Sequence, residues 1–285
     1  MEQVLYPDTI RIENRIFDFS EKTFVMGILN TTPDSFFDGG KYLDKDSALY
    51  KVEQLIKDGA DFIDIGGEST RPGSIPVTIE EEIGRVIPVV IDVKKNFDVV
   101  ISVDTTKAEV AKEALDHGAS IINDISGLSF EPEIADHVSN NNALIILMHT
   151  TSRPIDMQQN AKYDSLIDDI TDFLNISIEK ALSRGVKRDN IIIDPGIGFG
   201  KTVDNNIQII RQLRKFGELN SPILIGTSRK SFIGKILDNT DVEQRLIGSV
   251  TTAVLSGLNG ASIVRVHDVK ETVEALKIAQ EIYVH

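Results

Sequence analysis

Four aspartates stand at or near the ends of short apolar runs, where an unpaired charge would be costly. They are Asp64, Asp104, Asp124 and Asp194. Each could simply cap the following helix or tie down a loop, and for Asp64 and Asp124 this explanation is as good as a role in a site. For Asp104 and Asp194 we favour a site, because the interior of a closed sheet offers few free backbone donors. A ligand rich in N–H groups would satisfy both.

Four basic side chains also follow apolar runs. They are Arg71, Lys230, Arg265 and His267. Any one of them could be a solvated surface residue, but together they indicate a concentration of positive charge in a chain whose net charge is -14. Such a local field favours a small anionic substrate. Cations at the mouth and carboxylates inside predict a ligand with an anionic tail and a donor-rich head.

A glycine-rich segment, residues 194–202, is similar to a phosphate-binding P-loop but does not match it. Only three residues separate Gly196 from Gly200, where that motif needs four. Pro195 stands where the first glycine would fall and has no N–H to offer a phosphate. No Ser/His/Asp order is evident, the histidines lack metal-ligand spacing, and there is no cysteine for thiolate chemistry.

Two loops combine Gly and Pro with polar residues, residues 30–40 and 66–75. The first also carries Phe36 and Phe37, which we expect to be exposed. Such loops are candidates for lids that exclude water once substrate is bound. The alternative is that they only connect strands to helices.

The elements that must position these residues repeat eight times. The apolar runs of strand length are 24–29, 62–65, 99–103, 120–123, 143–148, 191–193, 223–225 and 263–266. Amphipathic segments of helical spacing alternate with them, near 45–58, 79–95, 106–117, 131–140, 163–184, 203–216, 241–258 and 269–282. Continuous apolar strands alternating with helices predict parallel pairing through right-handed crossovers. The pattern favours an α/β (β/α)8 barrel in which all the polar residues above gather at the C-terminal rim, and a doubly wound open sheet is the alternative.

Length and composition limit the possible partners. The chain has 285 residues, and we find no linker that would divide it, so residues 1–285 are expected to form one domain. The acidic balance argues against nucleic acid, and no run approaches a membrane span. The first residues lack the apolar core of a signal peptide, so a cytoplasmic location is expected.

The sequence resembles the dihydropteroate synthase family. Five segments carry the resemblance in the family's order, 26–36, 64–73, 102–107, 194–201 and 228–234, together with 123–127 and 265–267. The resemblance implies a (β/α)8 barrel enzyme, a transferase of the folate pathway and a target of sulfonamides. This family joins p-aminobenzoate to 6-hydroxymethyl-7,8-dihydropterin diphosphate and releases diphosphate with the help of Mg2+.

The resemblance also implies a role for individual residues. Pterin binding is implied for Asp104, Asn123, Met148, Asp194 and Lys230. Diphosphate binding is implied for Asn30, Thr70, Arg71, Arg265 and His267, with Asn30 as the protein ligand of Mg2+. The p-aminobenzoate pocket would be framed by Arg71, Pro72, Phe199, Lys230 and Ser231, and Asp34 would order the first loop. The catalytic set would be Asp104, Asp194, Lys230, Arg265 and Asp34, acting on a pterin carbocation.

One segment departs from the family pattern. After the fifth strand, residues 149–158 differ from the expected sequence, which affects the wall of the pterin pocket on that side. The alternatives are a methyltransferase that binds pterin and a pterin-binding paralogue without activity. Small molecules are the expected partners, and a homodimer through the later helices is compatible with the apolar segment 250–258, which is equally a packed barrel helix.

Overall fold

The computed structural model describes residues 9–32, 45–70, 73–157 and 162–283. The strands are β1 (Thr9–Ile12), β2 (Arg15–Asp18), β3 (Phe24–Asn30), β4 (Phe62–Gly66), β5 (Val100–Asp104), β6 (Ile121–Asp124), β7 (Leu144–Met148), β8 (Ile191–Asp194), β9 (Leu224–Ile225) and β10 (Ile263–Val266). The helices are α1 (Lys45–Lys57), α2 (Ile79–Asn96), α3 (Ala108–Asp116), α4 (Ile134–Asn140), α5 (Leu166–Ser183), α6 (Val203–Arg211), α7 (Ser231–Ile236), α8 (Leu246–Leu258) and α9 (Val269–Tyr283). The predicted alternation of strands and helices is confirmed.

Strands β3 to β10 form one parallel sheet that closes into a barrel. Its order is β8-β7-β6-β5-β4-β3-β10-β9. The remaining gap between β8 and β9 is bridged by a parallel pair, Ile193 and Ile223, and the Ile193 N–H donates to the Pro222 carbonyl at 3.0 Å. The (β/α)8 barrel is therefore confirmed, and the open doubly wound sheet is not what the chain forms. That residues 1–285 form a single domain stays a prediction.

Alternation along the strands separates two apolar layers from the polar site. Outward side chains such as Ile63 and Ile101 pack against the helices, for example on Val90 of α2. Inward side chains such as Phe62 and Val100 fill the lower barrel. Because side chains alternate along a strand, every second residue after Phe62 or Val100 also faces the barrel interior. At the C-terminal ends these inward positions become polar, which gives the barrel a charged rim above an apolar floor.

A two-stranded hairpin that the sequence pattern did not predict closes the floor. β1 and β2 pair antiparallel, and Ile10, Ile12 and Phe17 are buried against the lower barrel. The Phe17 ring lies 4.7 Å from the Phe62 ring and 5.2 Å from the Phe24 ring, centre to centre. Aromatic rings at these separations bury large apolar areas and interact favourably. The hairpin therefore seals the end of the barrel opposite the polar rim.

Two predicted helices differ from the structure, and one short helix was not predicted. The segment predicted as one helix over 203–216 is α6 followed by a 3-10 segment, Leu213–Leu219, and the segment over 241–258 begins with the 3-10 turn Val242–Gln244 before α8. The short helix α7 follows β9 directly and was not predicted, because six residues are too few to show helical periodicity. Among the helices of the described ranges, none combines the length and the apolar character needed to cross a membrane.

Candidate active site

The sheet register brings the first group of predicted residues into one row. Asn30 at the end of β3 pairs with Gly66, Gly66 pairs with Asp104, and Asp104 pairs with Asn123. Gly66 leaves the space between its neighbours open, since a Cβ there would lie 4.0 Å from the Asn30 Oδ1 and 3.9 Å from the Asp104 Oδ2. Asn30, Asp104 and Asn123 are thus brought to the same rim, as the barrel hypothesis predicted.

Arg265 joins two carboxylates from neighbouring parts of the barrel. Its Nε donates to the Asp64 Oδ2 at 2.6 Å, and its Nη2 donates to the Asp104 Oδ2 at 2.9 Å. The Asn123 Nδ2 donates to the same Asp64 oxygen at 3.2 Å. Asp64 is completely buried, and its other oxygen, Oδ1, has no hydrogen-bond partner among the described side chains. Asp64 is therefore neither a helix cap nor a loop tie, but the group that fixes Arg265.

The pKa of Asp104 is raised above its ordinary value, because burial penalises the charged carboxylate. The guanidinium of Arg265 opposes this shift, whereas the negative charge of Asp64 adds to it. Arg265, and more weakly Lys230, therefore favour the ionised form of this buried carboxyl group. A further donor or a cation placed beside Asp104 would lower its pKa and be bound more tightly for the same reason.

Asp194 ends β8 and is held by the glycine turn that follows it. Its Oδ1 accepts the Gly196 N–H at 2.7 Å. Gly196 has a positive φ of 73°, and a Cβ there would lie 2.0 Å from the His149 carbonyl oxygen, so no other residue fits. Burial raises the pKa of Asp194 to about 6, opposed by this backbone donor and by Lys230. The turn 194–198 therefore positions a carboxylate and does not bind phosphate in the manner of a P-loop.

Lys230 and Phe199 lie against each other at the barrel mouth. The ammonium of Lys230 lies 4.0 Å from the centre of the Phe199 ring. A cation over an aromatic face is attracted by the ring quadrupole. Burial and the nearby charge of Arg265 lower the pKa of Lys230 to about 8, opposed by Asp194 and Asp104. Lys230 is thus a cation at neutral pH that can also donate to a neutral ligand edge.

Met148 and Ser231 complete the predicted set on this side. Met148 is buried and shares a small apolar cluster with Ile125, Met157 and Phe199. It pairs with Asp194 in the sheet register, which brings an apolar surface next to the carboxylate. Ser231 is exposed at the start of α7, directly after Lys230. Among the described residues, Met148, Phe199 and Lys230 are therefore neighbours, and Ser231 follows Lys230.

The remaining anion-binding candidates are only partly described. Thr70 borders a small cavity of about 10 Å³, which Asp104 also lines. His267 contacts the Ser228 hydroxyl through Nδ1 at 3.0 Å. Burial, with Arg265 and Arg229 nearby, lowers the pKa of His267 to about 3, and its predicted place in the cationic set stays a prediction. Arg71, Pro72, Asp34, Phe36 and Phe37 lie outside the described residues, and their predicted roles stay predictions.

Asp124 behaves as the structural explanation expected. Its two oxygens accept the backbone N–H groups of Ser126 at 2.8 Å and Leu128 at 2.7 Å. Leu128 has a positive φ of 60°, so these bonds hold a strained turn. Asp124 therefore ties down the loop after β6 and does not face the site.

Two buried ionic groups were not singled out from the sequence. Lys107 donates to the Glu68 Oε2 at 2.6 Å and also contacts Glu82, which joins the loop after β5 to the loop after β4. The Lys201 Nζ lies 2.9 Å from the His149 Nδ1 and donates to the Phe199 carbonyl at 3.0 Å. The sequence signals for these lysines were their places a few residues beyond a strand and at the ends of the resemblance segments 102–107 and 194–201. Both hold loops that carry predicted site residues.

The segment that departs from the family pattern packs onto the second loop. The Pro154 carbonyl accepts the Gly73 N–H at 3.0 Å, and the Thr151 hydroxyl donates to the Met157 carbonyl at 3.0 Å. The Arg153 guanidinium lies 4.2 Å from the centre of the Phe130 ring. The segment therefore contacts the loop 66–75 through the hydrogen bond between Gly73 and Pro154.

Comparison with known proteins gives one consistent result. The family described as "Pterin binding enzyme" matches residues 26–267. The dihydropteroate synthase of Synechocystis sp. is 44% identical over 278 residues, which are 98% of this chain and 96% of that protein. A Clostridium difficile dihydropteroate synthase solved in the presence of pteroic acid superposes with a TM-score of 0.88 at 44% identity, covering 94% of this chain and 99% of that one.

A third relative adds a second ligand. The Xanthomonas albilineans dihydropteroate synthase, solved with 4-aminobenzoic acid, superposes with a TM-score of 0.90 at 38% identity and covers 98% of this chain and 99% of that one. These superpositions cover 94% and 98% of this chain. The chain therefore belongs to the dihydropteroate synthase family of pterin-binding enzymes.

Proposed function

We propose that this protein condenses 6-hydroxymethyl-7,8-dihydropterin diphosphate with p-aminobenzoate, giving 7,8-dihydropteroate and diphosphate. The observation that carries the proposal is the arrangement of Asp104, Asp194 and Lys230 around one barrel mouth, with Arg265 paired to Asp104 at 2.9 Å. The ligands of two relatives, pteroic acid and 4-aminobenzoic acid, support it from outside.

The donor-rich pterin ring suits the buried carboxylates. Asp104 and Asp194 are hydrogen-bond acceptors at strand ends. Their pKa values are raised because burial removes their carboxylates from water, and N–H donors of a ligand would replace the lost hydrogen bonds to water. In this proposal, the residues that bind the ring are Asp104, Asn123, Met148, Asp194 and Lys230. The phenyl ring of p-aminobenzoate would then pack near Phe199, with Ser231 and Lys230 at its edge.

The chemistry follows from the charges. The bond between the exocyclic methylene and the diphosphate oxygen breaks, its electron pair leaves with diphosphate, and a cation remains that is delocalised into the dihydropterin ring. Asp104 and Asp194 stabilise this cation electrostatically. The arylamine nitrogen then forms the new C–N bond, and its proton passes to water. A neutral arylamine needs no strong base, so the site has to orient it and exclude water.

The leaving group calls for positive charge. Arg265, Arg71 and Thr70 would hold the diphosphate, and His267 would gain a proton as the anion arrives, since its low pKa reflects burial next to cations. Asn30 offers an amide oxygen at the same rim, which is a ligand that Mg2+ accepts. The described residues contain no group of three acidic or histidine side chains fit to hold a metal, so phosphate oxygens and water would supply the other ligands. Bound Mg2+ would neutralise charge on the leaving diphosphate.

The protein's assembly and location belong to the same proposal. Helix α8 buries small residues such as Ser249 and Ala253, whereas Ile247 is 79% exposed and Leu255 46% exposed. An outward face more apolar than the inward face supports a homodimer through α8. Sedimentation would show a dimer, and Ile247→Asp would convert it to a monomer. A cytoplasmic location remains an expectation from the sequence.

The deciding experiment supplies the purified protein with the dihydropterin diphosphate, labelled p-aminobenzoate and Mg2+. Equal amounts of labelled dihydropteroate and diphosphate are expected, with loss of both when EDTA is added. Binding of the pterin substrate without product would instead identify a paralogue without activity. Methyl transfer to a corrinoid protein, with no dihydropteroate, would identify a methyltransferase.

A further inference from the structure

The loop between β9 and α7 contains a strained residue next to Lys230. Arg229 has a positive φ of 58°, in the left-handed region. This conformation is unfavourable for a residue with a Cβ and persists only where the surrounding structure enforces it. Strain of this kind concentrates at functional sites, and here it immediately precedes a residue proposed to contact both substrates.

Helix α8 holds the backbone of Arg229 from one side. The Arg229 N–H donates to the Ser249 hydroxyl at 2.8 Å, and its carbonyl accepts the Arg245 Nη1 at 3.1 Å. The Ser249 hydroxyl is itself oriented, since it donates to the Arg245 carbonyl at 2.7 Å. Both backbone groups of the strained residue therefore have fixed partners.

Asp268 holds the side chain of Arg229 from the other side. The Arg229 Nη2 donates to the Asp268 Oδ1 at 2.6 Å, and its Nε donates to Oδ2 at 3.1 Å. A two-point contact of this kind fixes direction as well as distance. Asp268 follows His267 directly, so the Arg229–Asp268 pair connects the loop after β9 to the loop after β10.

The residues on either side of Arg229 face the site. The Ser228 hydroxyl accepts the His267 N–H at 3.2 Å, and the Lys230 ammonium lies 4.0 Å over the Phe199 ring. The left-handed turn is what allows Ser228 and Lys230 to face the rim while the side chain between them reaches Asp268. If Arg229 adopted a negative φ, the direction in which the chain enters α7 would change. The position of the Lys230 side chain would then change as well.

We propose that Arg229 and Asp268 are positioning residues that hold Lys230 in the substrate site by enforcing the left-handed turn. This inference rests on the proposed function, because Lys230 matters only if substrates bind beside it. The ion pair does not touch either substrate. Its effect on the reaction passes through the backbone.

The test compares Asp268→Asn, Arg229→Ala and Arg229→Gly with the wild type. Asp268→Asn and Arg229→Ala should each raise the KM for p-aminobenzoate by about fivefold or more, with a smaller change in kcat. Arg229→Gly should lie between the wild type and Arg229→Ala, since glycine adopts a positive φ without strain. A pair that only stabilises the fold predicts instead that Asp268→Asn and Arg229→Ala lower the free energy of unfolding and leave the KM for p-aminobenzoate unchanged, because alanine at a positive φ is strained whether or not the turn positions Lys230.

The matched control is another partly exposed ion pair on the helices, in which the Arg184 Nη1 lies 2.5 Å from the Asp136 Oδ2. Arg184→Ala should leave both kinetic constants unchanged. Circular dichroism identifies the variants that fold. If the Arg229 variants do not fold, the KM of Asp268→Asn, which keeps the shape of the side chain, tests the proposal. KM values within about twofold of wild type in all three variants, or an equal rise in Arg184→Ala, would overturn the proposal.

A structural readout separates this inference from the proposed function. If the wild type forms no dihydropteroate, the proposed function fails, and crystal structures of Asp268→Asn and wild type are compared instead. A shift of the Lys230 ammonium by about 1 Å or more from the Phe199 ring supports the positioning role, since displacements of that size matter for a site. An unchanged Lys230 refutes it.

Discussion

Replacing Asp64 with asparagine removes one buried negative charge without changing the shape of the side chain. Asp64 lies 2.6 Å from the Arg265 Nε and is completely inaccessible to solvent, so the interaction is little weakened by water. A hydrogen bond to a charged group contributes about 1.5–3 kcal/mol. At 1.4 kcal/mol for each factor of ten, kcat/KM should fall by about 12-fold to 150-fold if Arg265 loses its orientation.

The same change has a predicted effect on the pH profile. Asp64 raises the pKa of Asp104 by repulsion between like charges, so its removal should lower that pKa where Arg265, which lowers the pKa more strongly, keeps its contact with Asp104. Asp104 would then remain ionised at lower pH, and the acid limb of kcat/KM, which reports ionisations of the free enzyme, should move to lower pH. The assay is the pH dependence of kcat/KM for the wild type and Asp64→Asn under identical salt.

The control for this prediction is Asp124→Asn, a second buried carboxylate at a strand end, which is held by the backbone N–H groups of Ser126 and Leu128 and by the Ser126 side chain. It should lower the free energy of unfolding and leave the acid limb where it is. An acid limb in Asp64→Asn that stays fixed or moves to higher pH would refute the assigned coupling between Asp64 and Asp104. A kcat/KM within about twofold of wild type would refute the orienting role of Asp64.

Three further predictions address the site and the fold. Lys230→Ala should weaken the binding of both substrates by about 1–3 kcal/mol in calorimetry, and unchanged affinity for both would remove Lys230 from the site. In the wild type, kcat/KM should decline above about pH 8, because Lys230, whose pKa is about 8, loses its proton there. Asp104→Asn should slow turnover by about a hundredfold while diphosphate binding is retained, and normal turnover would exclude stabilisation of the cation by Asp104. Phe17→Ala should reduce the free energy of unfolding by about 3–5 kcal/mol in urea titration with KM unchanged, and an unaltered unfolding midpoint would mean that the hairpin does not contribute to the core.

The sequence predicts the barrel well because its signals are local. Each strand is a short apolar run, and the period of two along the strand explains why Asp104 and Asp194 face inward beyond apolar residues such as Val100 and Ile192. The gathering of strand ends at one rim then follows from closure of the parallel sheet. Most of the described candidate residues could therefore be brought together from periodicity alone.

Other features depend on contacts between distant parts of the chain. Arg265 pairs with Asp64, 201 positions earlier, and no pattern says which carboxylate a given cation will select. The hairpin escaped prediction because its two-residue connection, Glu13 and Asn14, lacks the glycine that usually marks such a turn. The low pKa of His267 depends on burial, which the residue type does not reveal.

The hairpin at the barrel floor also constrains the order of events during synthesis. Its apolar side chains pack in one cluster with side chains from β3 through to Ile263 of β10. The ribosome releases residues 9–18 well before Ile263, so the hairpin has no complete surface to pack against until the strands from β3 to β10 have emerged. Ile10, Ile12 and Phe17 are therefore exposed in the partly synthesised chain, where chaperones and proteases can recognise them. Native closure of this barrel therefore waits for the synthesis of β10, and a chain cut short before β10 would leave the apolar side chains of the hairpin without part of their packing surface.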